Sequence, residues 1–206
     1  MLISGRGSNL GALLDAAASP GYPARIALVL SNRPDAAGLA LTAQYGVPAH
    51  RIDHRPFGRD RAAHEAAIHA ALVEHGVGLV CLAGYMRLLT PFLVGQWAGR
   101  MLNVHPSLLP AFPGLDTHSR ALAAGVKLHG CTVHLVTEQM DAGPILAQAA
   151  VPVLPGDTET TLAARVLAQE HRIYPEALRL HVCGVPGAYD SSASIACPLP
   201  PGASGP

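Results

Sequence analysis

Asn103-Val104-His105-Pro106-Ser107-Leu108-Leu109-Pro110 places a carboxamide and an imidazole two residues apart, directly after the apolar pair Met101-Leu102. At the end of a strand, positions i and i+2 project to the same side. Both side chains could then donate to one developing oxyanion. Read alone, the same stretch fits better as a Pro-rich turn, with Asn103 capping backbone and His105 on the surface. A second stretch, Ser4-Gly5-Arg6-Gly7-Ser8-Asn9, follows the short apolar run Met1-Leu2-Ile3 and precedes an amphipathic helix carrying Leu10, Leu13, Leu14 and Ala17 on one face. Strand, glycine turn and helix start together aim backbone N–H groups at an anion, and Ser8 and Asn9 suit both N-capping and phosphate bonding. No Gly-Lys-Ser/Thr follows and the third glycine of a dinucleotide fingerprint is missing. The stretch therefore reads as a small phosphate site or as a plain strand-to-helix turn. A third stretch, Thr137-Glu138-Gln139-Met140-Asp141-Ala142-Gly143-Pro144, sets carboxylates in a loop between two strand-like runs.

Composition narrows the classes. The chain has 206 residues, half of them apolar and 14% charged, with a net charge of zero. A chain of this length fits one domain and buries roughly 70% of its unfolded surface. Lys127 is the single lysine and the arginines are scattered, so the clustered field that nucleic acid requires is missing. The four cysteines, Cys81, Cys131, Cys183 and Cys197, show no metal-ligand spacing, and read as reduced thiols of a cytoplasmic protein. The histidines likewise lack ligand spacing, so no metal is expected. No run approaches the ~20 apolar residues of a membrane span, and the N-terminus lacks the pattern of a signal peptide.

The elements that must position these groups alternate. Strands are expected at Met1 to Ile3, Ala24 to Leu30, Gly46 to Ile52 and Val77 to Ala83. Helices are expected from Leu10, over Asp35 to Tyr45 and over Arg59 to His75, where Gly76 ends the helix. Val77 to Ala83 is continuously apolar, as expected of a parallel strand covered on both faces. Such alternation predicts an α/β, mostly parallel twisted sheet with helices on both faces and a Rossmann-like N-terminal half. The first strand has room for three residues where ~5–6 are usual, which is expected either from a start assigned too late or from a clipped central strand. Gly84 to Leu89 follows the fourth strand at the carboxyl end, where such folds bind ligands. Met86 and Leu89 there could line an apolar pocket or begin a core helix. Pro91 to Trp97 and Thr117 to Ala124 read as short helices, Cys131 to Val136 and Ile145 to Val151 as strands. A last helix runs from about Glu159 past Pro175 towards Leu180. Residues 1–184 read as one catalytic domain and 185–206, rich in Gly, Pro, Ser and Ala, as a disordered tail.

Six ordered motifs extend the reading: Ser4-Gly5-x-Gly7-Ser8-Asn9, Leu82-Ala83-Gly84-Tyr85-Met86-Arg87, Asn103-x-His105-Pro106-Ser107-Leu108-Leu109-Pro110, Thr132-Val133-His134, Asp141-Ala142-Gly143-Pro144 and Glu170-His171-x-x-Tyr174-Pro175. Together, from about Met1 to Leu180, the chain resembles the phosphoribosylglycinamide formyltransferases of purine synthesis. The resemblance implies transfer of a formyl group from 10-formyltetrahydrofolate to the amine of glycinamide ribonucleotide by a cytoplasmic monomer or homodimer, without nucleic acid, membrane or metal. Matched to the family's motifs, Asn103, His105 and Asp141 are the catalytic trio. Gly7, Ser8 and Asn9 form the phosphate turn, and Pro106 and Glu170 belong to the ribonucleotide side. Arg61, Met86, Arg87, Leu88, Leu89, Thr137, Met140 and Asp141 belong to the folate side.

The chemistry accounts for these residue types. Attack of an amine on a formyl carbon makes an oxyanion, to which Asn103 can donate an amide N–H and a protonated His105 a charge-assisted bond. Asp141 beside His105 would stabilise the imidazolium and hold its orientation. His134 reads as a strand histidine near the site and His171 as a structural partner in its helix. Arg6, Asp116 and His118 have no assigned role. Two related classes, methionyl-tRNA formyltransferases and formyltetrahydrofolate hydrolases, are expected to need an additional domain. A non-catalytic nucleotide- or folate-binding module and a dinucleotide-binding domain are the rival classes.

Overall fold

The computed structural model describes residues 1–184; the expected tail at 185–206 lies outside the described residues. Seven strands form one sheet in the order β3-β2-β1-β4-β5-β6-β7. They are β1 (Leu2–Ile3), β2 (Val29–Ser31), β3 (Ala49–Arg51), β4 (Val80–Leu82), β5 (Met101–His105), β6 (Leu128–Leu135) and β7 (Ile145–Pro152). The first five pair in parallel, and β6 and β7 add antiparallel. The chain leaves β1 for β2 and β3 on one side, then crosses to β4 on the other. That reversal makes the carboxyl ends of β1 and β4 the crevice of the sheet.

Strand alternation splits the core into two layers. Ile3, Val29, Cys81, Leu102 and Val104 face one side, under α1 (Ser8–Ala18) and α5 (Glu159–Val182). Leu2, Leu30, Val80, Leu82 and Met101 face the other, under α2 (Arg61–Glu74) and α3 (Pro91–Gln96). Each fully buried side chain of this kind contributes about 1.5–3 kcal/mol, so both faces of the short strands are firmly committed. Buried Tyr174 on α5 donates towards the carbonyls of Leu82 (3.0 Å) and Leu102 (3.1 Å), tying the helix to β4 and β5 just before the site. Pro175 lies inside α5, and its carbonyl accepts a hydrogen bond from Tyr22 at 2.7 Å.

Several expected elements are shorter than their apolar runs. β2 covers Val29–Ser31, and not Ala24 to Leu30, while β4 covers Val80–Leu82 within the run from Val77 to Ala83. A strand extends only as far as its pairing: β2 matches β3 from Val29 to Ser31 and β4 matches β5 from Val80 to Leu82, while β1 between them supplies two residues, Leu2 paired with Leu30 and Leu82, and Ile3 with Ser31. Met1 continues the pairing without counting as strand: its carbonyl accepts from Leu30 N at 2.8 Å and its amine donates to Leu28 O at 2.6 Å. Burial pushes that amine down to about 6. The helix expected at Asp35 to Tyr45 is a 3-10 helix over Ala37–Tyr45. The one expected from Arg59 starts at Arg61, where the Asp60 side chain caps it by accepting from Ala63 N at 2.9 Å. Helix α4 (Thr117–Ala123) and the long α5 lie where the periodicity places them.

Candidate active site

Strand β5 carries Asn103 and His105 on one face. Antiparallel pairing sets Asn103 opposite His134 and His105 opposite Thr132. Asn103 Nδ2 lies 3.2 Å from His134 Nε2. The buried ring of His134 also has Nδ1 3.0 Å from the carbonyl of Leu135. A carbonyl only accepts, so Nδ1 holds the hydrogen, and burial lowers the pKa of this ring. His134 is therefore neutral, and its Nε2 lone pair takes one of the two amide hydrogens of Asn103. The carboxamide is thereby fixed in one orientation, with its second N–H left to give. The approach of His134 Nε2 to Asp141 Oδ1, 3.7 Å, is a contact without an ion pair.

His105 is 5% exposed. Its Nε2 lies 3.0 Å from the carbonyl of Phe112, which again assigns the hydrogen to nitrogen, and its Nδ1 faces Asp141 Oδ2 at 3.4 Å. Asp141 Oδ2 also accepts the backbone N–H of Gly114 at 2.8 Å. Asp141 reaches this position from a tight turn between β6 and β7, at φ 54°. Gly143 makes the turn possible, since a Cβ there would stand 1.9 Å from the carbonyl oxygen of Leu135. Below the imidazole, Thr132 Oγ1 donates to Ser107 O (2.7 Å) and accepts from Leu109 N (3.0 Å), fixing the proline-punctuated loop to β6. Thr117 Oγ1 holds the carbonyl of Pro106 at 2.7 Å.

The phosphate-turn candidates sit at the end of β1. Gly7, at φ 76°, is itself the N-cap of α1, and no side chain caps the helix. The capping expected of Ser8 and Asn9 is replaced by this left-handed glycine, because a Cβ at Gly7 would meet Gly38 Cα at 2.9 Å. The first-turn N–H groups are consequently open to an anion. Ser8 is exposed, whereas Asn9 is buried and spends its amide on Glu170 Oε2 at 2.7 Å. Asn9 thus offers its backbone N–H to an anion and uses its side chain to hold Glu170. Burial raises the Glu170 pKa, and the Asn9 bond opposes the rise.

Residues 85–90 form an irregular loop at the end of β4. Met86 and Leu88 are exposed, Arg87 and Leu89 half-buried; none begins a helix. Ser4 binds this loop to the glycine turn, accepting from Met86 N at 2.8 Å and donating to Asn32 Oδ1 at 2.5 Å. Arg61 Nη1 lies 3.4 Å from Leu88 O, which places the arginine beside the loop. One helical turn on, buried Glu65 accepts from Thr90 N at 2.8 Å. Thr137 and Met140 are exposed on the Asp141 loop, and the position of a Gly114 Cβ lies 3.7 Å from Met140 Cε. Among the described residues no three His, Cys, Asp or Glu side chains are grouped to hold a metal ion. No helix among them is long and apolar enough to cross a membrane.

Residues 1–178 match the formyl transferase family. The phosphoribosylglycinamide formyltransferase of Escherichia coli K12 is 45% identical over 175 residues, covering 85% of this chain and 82% of that protein. The chain belongs to the phosphoribosylglycinamide formyltransferase family. It is also 48% identical over 184 residues to the trifunctional purine biosynthetic protein adenosine-3 of Bos taurus, covering 89% of this chain and spanning 18% of that longer protein. Among solved structures, glycinamide ribonucleotide transformylase 1 from Symbiobacterium toebii superposes with a TM-score of 0.86 at 52% identity, covering 89% of this chain and 86% of that one. The phosphoribosylglycinamide formyltransferase from Brucella melitensis does so at 0.84 and 56% identity, covering 89% and 94%.

The structure sets His105 against Asp141, links Asn103 to the same carboxylate through His134, and joins Asn9 to Glu170. Three participants escaped the sequence: the carbonyl of Phe112, the N–H of Gly114, and His134 as the group that orients Asn103. The first two are backbone groups without a side-chain signal. His134 was legible only through its register opposite Asn103.

Proposed function

We propose that this formyltransferase moves the formyl group of 10-formyltetrahydrofolate to the amine of glycinamide ribonucleotide, in de novo purine synthesis in the cytoplasm, acting as a monomer or homodimer. The observation that carries the reading is the cluster of Asn103, His105 and Asp141 at the end of β5, together with the uncapped N-terminus of α1, where Asn9 holds Glu170. The open N–H groups at Gly7, Ser8 and Asn9 suit a phosphate dianion. Glu170 and the carbonyl side of Pro106 suit the hydroxyl and amide groups of the ribonucleotide. Exposed Met86 and Leu88 with Leu89 on the loop after β4, and exposed Met140 with Thr137 on the Asp141 loop, suit contacts to a flat heteroaromatic ring. Arg61 and Arg87 suit its carboxylates, and no metal is required.

When bound, the folate supplies the electrophilic formyl carbon. As the amine attacks, the carbonyl electrons move onto oxygen, and Asn103 gives its remaining N–H to that oxygen. A protonated His105, with Asp141 on Nδ1, adds positive charge at the same place. Collapse restores the carbonyl and sends the electron pair of the breaking C–N bond to the folate nitrogen. That nitrogen takes a proton originating on the amine, relayed through a bound water.

The test is a direct assay with both substrates, following deformylated folate and formylated ribonucleotide together. Equal appearance of the two products is expected. Binding of both substrates without product would instead identify a binding module.

A further inference from the structure

The loop from Phe112 to Asp116 carries two of the backbone groups that hold the catalytic side chains, and its own geometry is strained. Phe112 at φ 53° and Asp116 at φ 55° are L residues in the left-handed region, with Gly114 at φ 79° between them. Such conformations persist where surrounding contacts over-determine them. Arg120, on the exposed side of α4, makes those contacts. Its Nη1 donates to Pro113 O at 2.5 Å and to Leu115 O at 3.2 Å. Its guanidinium carbon stands 5.6 Å from the centre of the Phe112 ring. No carboxylate among the described residues pairs with it, so this cation is committed to the loop.

The peptide between Pro113 and Gly114 decides what that commitment does. In a planar trans peptide the C=O and the N–H point in opposite directions. Arg120 grips the oxygen of this unit, and Asp141 Oδ2 takes the N–H of the same unit at 2.8 Å. A cation on the oxygen also strengthens the opposite N–H as a donor. The preceding peptide presents Phe112 O to His105 Nε2 at 3.0 Å, with the Phe112 side chain beneath Arg120 and edge-on to buried His129 at 5.9 Å. We propose that Arg120 is a positioning residue for both His105 and Asp141, acting through the backbone of residues 112–115 and touching neither side chain. The inference rests on the formyl-transfer reading for its kinetic consequence only.

The experiment compares wild type with Arg120→Ala and Arg120→Lys by steady-state kinetics and by imidazole proton NMR of His105. A displacement of about 1 Å in a catalytic group costs on the order of 10²-fold, so kcat of Arg120→Ala should fall about 10–100-fold. KM for the ribonucleotide, whose phosphate turn is elsewhere, should stay within about twofold of wild type on the same reasoning. Arg120→Lys, which keeps the cation but not the fork, should recover part of kcat, and free guanidinium should rescue Arg120→Ala. The His105 Nε2 proton signal, protected by Phe112 O, should vanish in Arg120→Ala. Unchanged kcat and an unchanged Nε2 signal in folded Arg120→Ala overturn the proposal. Loss of the native circular dichroism spectrum in both variants overturns it too, because Arg120 would then hold the fold and not the site. An inactive wild type would refute the functional reading alone, since the NMR comparison still decides this one.

Discussion

Glu170 is 6% exposed, and among the described residues its carboxylate accepts one hydrogen bond, from Asn9 Nδ2. The carbonyl oxygen of the same Asn9 side chain is buried without a partner. Replacing Glu170 with Gln keeps the acceptor, removes the buried charge and adds an N–H able to reach Asn9 Oδ1, giving a reciprocal amide pair. Satisfying one buried acceptor contributes about 0.5–1.5 kcal/mol, and relief of desolvation adds to it. For a chain of this size each kcal/mol moves Tm by about 2–4 °C, so a rise of about 2–6 °C is expected near pH 8. The gain has a defined pH dependence. Burial lifts the Glu170 pKa above its ordinary 4.5, so the native state binds this proton more tightly than the unfolded chain. Wild-type stability from that proton is complete below 4.5 and is lost as pH rises through the raised value. Below the raised value the protonated carboxyl can itself donate to Asn9 Oδ1, as the amide of Gln does, so the advantage of Gln should be near zero at acid pH and full at pH 8. On the proposed function the same change also removes a charged acceptor from the ribonucleotide side, and KM for that substrate should then rise about tenfold or more. Thermal denaturation at two pH values, with steady-state kinetics at the higher, measures all three effects. A lower Tm at pH 8, or an equal gain at both pH values, would refute the reasoning.

Three further outcomes follow from the same geometry. His134→Leu deletes the lone pair that orients Asn103; kcat should fall about tenfold, the equivalent of one neutral hydrogen bond, with both KM values little changed, and a wild-type kcat would show that the amide needs no such partner. Gly143→Ala places a methyl 1.9 Å from Leu135 O, so the Asp141 turn must move; a stability loss of about 1–3 kcal/mol by denaturant titration is expected, along with loss of activity. Ser8→Pro removes the first-turn N–H at an exposed N1 position where proline fits the helix; Tm should hold while KM for the ribonucleotide rises, and an unchanged KM would move the phosphate elsewhere.

Sequence spacing carried the fold class because apolar runs alternate with 3.6-period stretches, and it carried Asn103 and His105 because i and i+2 share a strand face. It overestimated β2 and β4, whose ends are set by pairing to β3 and β5, residue for residue, and not by their own hydrophobicity. It missed the 3-10 character of Ala37–Tyr45, where close packing of Gly38 on Gly7 governs the backbone. Asp141 came from the resemblance, since nothing local in the Thr137 to Pro144 loop says which carboxylate faces His105. Asn9 illustrates the remaining difficulty: its type fits phosphate, yet its amide is turned to Glu170, a residue 161 positions away. Long-range pairing of that kind has no signature in either segment alone.

The central claim is that Asn103, His105 and Asp141 act together on the oxygen of the transferred formyl group. Single-turnover formyl transfer by wild type, Asn103→Ala, Asp141→Asn and the double variant tests it most directly, with folate affinity measured in parallel. Each single change should slow the chemical step about 10²–10³-fold while folate affinity holds. The double variant should be little slower than the slower single, as for groups that act as a unit. Wild-type-like rates in either single variant, or losses that multiply in the double, would contradict the account.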